Sequence, residues 1–124
     1  MDEKVVSTID HLAFRVSDLD ETQAFMEKLG YEVKRRTTHH GAALEMFSPK
    51  QPEVTIEFTI LVESKGETPG FDHACFRLKD EDEFNDLEEA GFPVKNKPYM
   101  VPGSDRRVSS FKDHDEIKWQ IVIN

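Results

Sequence analysis

His11, Glu57, His73 and Gln120 are the residues whose types and placement in this sequence could do chemistry. Repetition singles them out. The phrase Asp10-His-Leu-Ala-Phe-Arg-Val-Ser-Asp-Leu-Asp-Glu21 returns 62 positions later as Asp72-His-Ala-Cys-Phe-Arg-Leu-Lys-Asp-Glu-Asp-Glu83, identical at seven of twelve positions. A second echo, Val54-Thr-Ile-Glu-Phe-Thr-Ile-Leu61 against Ile117-Lys-Trp-Gln-Ile-Val-Ile-Asn124, sets Glu57 opposite Gln120. Two neutral imidazoles, a carboxylate and an amide carbonyl form a ligand inventory for a divalent ion. They would leave about one net positive charge and two open positions in an octahedron. Such a site takes a substrate through adjacent oxygens, polarises a carbonyl and stabilises the enolate formed when a neighbouring proton leaves. An amide cannot take a proton, so Glu57 is the one carboxylate of the four that could act as general base. With iron(II), two His and one Glu would also satisfy the facial triad of an oxygenase.

Each of these residues also has an ordinary reading. His11 and His73 could be plain strand histidines, although repetition at one offset beside a matching carboxylate favours ligands, and Glu57 could be solvated if its strand lay at a sheet edge. Gln120 could be a ligand or the mark of a lost metal site. Arg15 and Arg77 could pair with carboxylates across the sheet, and Arg15 could instead face a pocket. Arg106 and Arg107 precede a strand, where Arg107 could meet an anionic substrate or simply add charge to the surface. Cys75 corresponds to Ala13 and reads as small filler. His39, His40 and His114 lie near turns and read as solvated, as does the acidic run from Glu81 to Glu89.

The elements that must position these groups follow from periodicity. Ser7 to Val16 alternates as a strand does, Asp18 caps a helix reaching Leu29, and Gly30 stops it. Tyr31 to Thr38 and Ala42 to Phe47 read as strands joined near His39-His40-Gly41, and Val54 to Val62 as another. The second copy gives a strand from Phe71 to Leu78, a helix from Asp80 to Ala90 stopped by Gly91, and strands near Val94, Arg107 to Phe111 and Ile117 to Ile123. A polar link from Ser64 to Gly70 joins the copies. The expected organisation is one domain over residues 1–124, with modules at 5–63 and 70–124. Alternation places His11, Ala13 and Arg15 on one face and Leu12, Phe14 and Val16 on the other. It likewise separates Thr55, Glu57 and Thr59 from Ile56, Phe58 and Ile60, and sends Phe76 and Trp119 to the apolar back.

Composition bounds the rest. A chain of 124 residues is the size of one domain. Its net charge of -9, from 25 acidic against 16 basic residues, argues against nucleic-acid partners. One cysteine excludes an internal disulfide framework, and the polar start Met-Asp-Glu-Lys shows no apolar signal core before Ile9. A reducing cytosol is the expected location. No run approaches the roughly 20 apolar residues needed to span a bilayer, so no membrane partner is expected.

The repeated frame and ligand order resemble the vicinal oxygen chelate superfamily of glyoxalases, methylmalonyl-CoA epimerases, extradiol dioxygenases and bleomycin-resistance proteins. The resemblance covers essentially the whole chain. It rests on a His or Gln on the first strand of each module and a Glu, Gln or His on the last, with Phe111-Lys-Asp-His-Asp-Glu-Ile-Lys-Trp-Gln-Ile121 resembling the family's closing Asp-Pro-Asp-Gly turn and final strand. The resemblance implies an α+β, glyoxalase-like fold: two tandem β-α-β-β-β modules forming a curled mixed sheet around a cleft. It also implies a homodimer and a bound nickel, zinc, manganese, cobalt or iron ion. Implied too is a lyase or isomerase acting by proton abstraction on a small anionic metabolite, with Glu57 as base. Gln120 stands where bacterial glyoxalase I has a second glutamate, which removes a two-base shuttle. It stands also where extradiol enzymes take their carboxylate, which ranks the oxygenase second. Arg15 matches a glutathione-anchoring arginine of glyoxalase I, whereas Leu61 replaces an asparagine of that anchor. The competing class is a metal-free small-molecule binder.

Overall fold

The computed structural model describes residues 5, 7–37, 43–93, 98–100 and 106–123. The expected turn at His39-His40-Gly41, the strand near Val94 and most of the loop from Lys95 to Asp105 lie outside these residues. The fold is α+β, with eight strands in mixed parallel and antiparallel pairing and two α-helices among the described residues. None of the described helices is long and apolar enough to cross a membrane. Close contacts divide the chain into two compact units, residues 11–73 and residues 1–10 with 74–124. The opening strand of each sequence module is thus shared between the units, so that Asp10 groups with the second copy and Asp72 with the first.

In the unit of residues 11–73, strands β1 (Thr8–Val16), β2 (Glu32–Arg36), β3 (Leu44–Ser48) and β4 (Gln51–Ile60) follow the order β2-β3-β4-β1. Strand β1 runs parallel to β4 in the register His11↔Thr55, Ala13↔Glu57 and Arg15↔Thr59, and Leu12, Phe14 and Val16 match Ile56, Phe58 and Ile60. Registered neighbours share a face, so the polar and apolar sets separate as strand alternation dictates. The apolar back joins buried Leu44, Met46 and Phe58 to Phe14, Val16 and Ile56. Helix α1 (Leu19–Lys28) lies on that side through Leu19 and Met26. Asp18 begins it, its carboxylate accepting from the Glu21 amide at 3.0 Å. Gly30 ends it at φ 88°, a conformation that glycine adopts without penalty.

The other unit contains β5 (Gly70–Leu78) from Ala74 onward, helix α2 (Glu81–Glu89), β6 (Tyr99–Met100), β7 (Arg107–Lys112) and β8 (Lys118–Ile123), the strands in the order β5-β8-β7-β6. Its back core packs Leu78, Phe84, Phe111, Ile121 and Ile123 with Leu87 and Trp119. Trp119 stacks on Phe76 with ring centroids 5.5 Å apart.

Position four after the cap differs decisively between the helices. After Asp80 it is Phe84, which is fully buried. After Asp18 it is Thr22, and here the helix buries no residue. An open groove of about 640 Å³ remains beneath α1, lined by Phe14, Thr22, Phe25, Met26, Tyr31 and Phe58 among others.

Candidate functional site

The unit of residues 11–73 brings together His11 on β1, Glu57 on β4 and His73 at its own end, on the part of β5 that belongs to it. His11 and His73 are nearly buried, at 6% and 9% exposure. Their Nε2 atoms face one another at 3.3 Å, and the rings meet edge to face at 82°. Glu57 Oε2 lies 3.3 Å from the far edge of His11, at Nδ1. Asp72 Oδ2 lies 2.5 Å from Nδ1 of His73. Arg15 donates through Nη1 to the other oxygen of Asp72 and through Nε to the Thr68 carbonyl at 3.4 Å. The groups therefore form a line, Glu57, His11, His73, Asp72, Arg15, in which each imidazole has a carboxylate at Nδ1 and the two Nε2 atoms look inward.

That geometry supports two chemical states. One hydrogen can be shared between the Nε2 atoms, or both can turn lone pairs toward a cation. Two imidazoles bound to one ion at roughly 2.0–2.1 Å place their donor atoms about 3.0 to 3.4 Å apart, and the observed 3.3 Å falls in this interval. The fixed charges favour a cation as well, because two carboxylates stand against one guanidinium and the imidazoles contribute no negative charge. Glu57 occupies the Nδ1 edge of His11, away from the edge that faces His73. As it stands it orients the ring, and direct ligation requires a different rotamer.

Gln120 lies on β8 in the other unit, half-buried and registered against Cys75 on β5 and Ser110 on β7. Cys75 is fully buried and packs with Val108 and Val122. Arg107 donates to Glu81 at 2.7 Å, on the first turn of α2. Arg77 and Arg106 both meet the buried carboxylate of Asp10. Thus Arg15 and Arg77 each pair with an aspartate that opens a repeated phrase. His114 is exposed beside Asp115, as a solvated turn residue should be.

Three residues of the polar face escaped the sequence reading. Asp72 was visible only as the residue before His73. Neighbours on a strand normally point apart, but Asp72 reaches both the His73 edge and Arg15. Glu45 on β3 is registered directly opposite Glu57, and its side chain is almost as sheltered, at 16% against 17% exposure. The alternation of β3 carried that signal. Lys34 stands at an irregularity between Val33 and Arg35 and donates to Thr55 Oγ1 at 3.2 Å. A bulge re-aims a side chain, and sequence alternation does not reveal it.

Away from this face, the closing turn is held by Asp113. Its carboxylate accepts from the Trp119 indole at 2.8 Å and from the amides of Asp115 and Ile117 at 2.8 and 3.0 Å. The Trp119 hydrogen bond is the main cause of a pKa below the ordinary aspartate value. Burial opposes it, and the two amides add to it. Glu116 follows at φ 64°, where the turn of the resemblance has glycine.

Comparison with known proteins agrees with this architecture. Among solved structures, methylmalonyl-CoA epimerase from Mycobacterium tuberculosis superposes with a TM-score of 0.77 at 17% identity, over 99% of this chain and 91% of that one. A variant of Streptomyces coelicolor methylmalonyl-CoA epimerase, in complex with 2-nitronate-propionyl-CoA, gives 0.71 at 15% identity over 98% and 99%. A hypothetical protein from Bacillus halodurans C-125 gives 0.72 at 16% identity over 95% and 94%. No curated protein matches the sequence. These similarities concern the fold. The family model described as Glyoxalase/Bleomycin resistance protein/Dioxygenase superfamily matches residues 8–121, and the chain belongs to that superfamily.

Proposed function

We propose that the protein is a metal-dependent lyase or isomerase that removes a proton next to a carbonyl on a small anionic metabolite. The observation that carries this reading is the facing Nε2 pair of His11 and His73 at 3.3 Å, with a carboxylate behind each ring. A divalent ion held by His11 and His73, with Glu57 on rotation and Gln120 as the further ligands expected from the sequence, would polarise the carbonyl and stabilise the enolate charge. Glu57 is the proposed base, its carboxylate sheltered on the polar face and close to His11. Lys34 is a cation on that face suited to the anionic part of a substrate, and Arg15 holds Asp72 in place. The epimerase structures that carry 2-nitronate-propionyl-CoA or methylmalonyl-CoA make acyl-CoA thioesters the first substrates to assay. We further propose a cytosolic homodimer, as the resemblance and the single cysteine imply.

Elemental analysis of untagged protein purified without chelator, beside the His11→Ala/His73→Ala double variant, tests the metal. Near-stoichiometric nickel, zinc, manganese, cobalt or iron in the parent and none in the variant is expected. Glu57→Gln should then abolish proton exchange at the substrate carbon while keeping the fold, and unchanged exchange would refute Glu57 as base.

A second reading has its own support. The groove under α1 is lined by Phe14, Phe25, Tyr31 and Phe58, the apolar surroundings that small-molecule binding proteins use. A parent free of metal after incubation with each ion would favour this binder.

A further inference from the structure

We infer that Asp72 is the positioning residue of the histidine pair. It keeps the His73 proton on Nδ1, so that Nε2 presents its lone pair to the space shared with His11. This deepens the metal reading above and rests on it for its consequence in affinity, though not for its effect on the imidazole.

The two faces of the His73 ring environment decide the tautomer. At Nδ1 stands a carboxylate oxygen at 2.5 Å, an acceptor with no proton to give. At Nε2 stands the Nε2 of His11 at 3.3 Å. A hydrogen bond to a charged carboxylate is about twice as strong as a neutral one. The proton therefore resides on Nδ1, and Nε2 is left as the acceptor or metal-binding atom. Arg15 completes the device. Its guanidinium binds the second oxygen of Asp72, and Thr68 receives its Nε hydrogen, so the carboxylate is fixed from both sides. Partners that fix a ligating imidazole in this way typically change metal affinity by about ten- to a hundredfold when removed.

Duplication gives an internal contrast. Asp10 is the repeat counterpart of Asp72 and likewise precedes a histidine, yet its carboxylate binds Arg77 and Arg106. The Nδ1 carboxylate of His11 is Glu57, drawn from β4. In one copy of the repeated Asp-His pair the aspartate stands at Nδ1 of the ring that follows it, and in the other Oδ1 of the aspartate anchors two arginines.

The test measures ring 15N shifts of His73 in metal-free protein, followed by cobalt(II) titration. The expected result is an Nδ1-protonated His73 in the wild type and a shift of the proton toward Nε2 in Asp72→Ala, with cobalt affinity about ten- to a hundredfold weaker. Asp72→Asn, whose amide oxygen still accepts, should restore the wild-type tautomer. An Nε2-protonated His73 in the wild type overturns the inference without any variant. An unchanged tautomer in folded Asp72→Ala overturns it as well. A wild type that binds no cobalt would refute the metal reading alone, and the tautomer comparison would still decide the role of Asp72.

Discussion

At the scale of single residues, identity and orientation carry different information. The sequence named His11, Glu57 and His73 because repetition and alternation are local properties that can be counted. It gave no access to which edge of each ring meets which partner, because that depends on side-chain torsions settled between strands distant in the chain. Glu57 illustrates the gap: it lies beside His11 as its strand parity required, but at Nδ1 and not at the edge facing His73. Asp113 offers a prediction at this scale. Since folding lowers its pKa, the stabilisation of the turn is complete above the ordinary aspartate value and is lost as pH falls through the lowered folded value. Trp119 is the one tryptophan of the chain and donates to this carboxylate. Its fluorescence should therefore change with a midpoint below the ordinary value of about 3.9. Asp113→Asn should remove that transition, and a transition that survives the substitution would assign it to another group.

At the scale of elements, caps and stops were the most legible features. Asp18 and Asp80 begin the helices, and Gly30 and Gly91 follow their ends at φ 88° and 87°, because capping chemistry involves only neighbours in sequence. The strands around Val54 and Arg107 were also found, with ends displaced by a few residues. The short strand at Tyr99–Met100 was not expected, since its residues lack a periodic run and it forms only by pairing with Val108 and Arg107. Nor did the repeat reveal how differently the two helices pack. Phe84 seals one helix against its sheet, while Thr22 leaves a groove beneath the other. Thr22→Phe should fill part of that space and raise stability by about 1 kcal/mol, seen as an increase of a few degrees in Tm. A lower Tm would mean that the groove cannot accept the ring without strain.

For the whole molecule, the proposed ion links function to stability. A ligand that binds only the folded protein stabilises it by mass action, by about 2.7 kcal/mol at a hundredfold excess over Kd. Cobalt(II) should therefore raise the wild-type Tm by on the order of 10 °C and leave the His11→Ala/His73→Ala variant unmoved, as a thermal scan with and without the ion would show. Equal shifts in both would place the metal elsewhere. Sequence alone determined that one β-α-β-β-β unit is written twice, which residues alternate onto its polar face, and that the net charge is -9. These follow from composition and from a two-residue strand repeat that needs no knowledge of distant contacts. Only the tertiary structure decided that Asp72 and Arg15 stand behind His73, that Asp10 accepts from Arg77 and Arg106, and that Glu45 shares a register with Glu57. Those relations depend on which strands lie side by side and in what register, and the energy that selects them comes from packing between residues far apart in the chain.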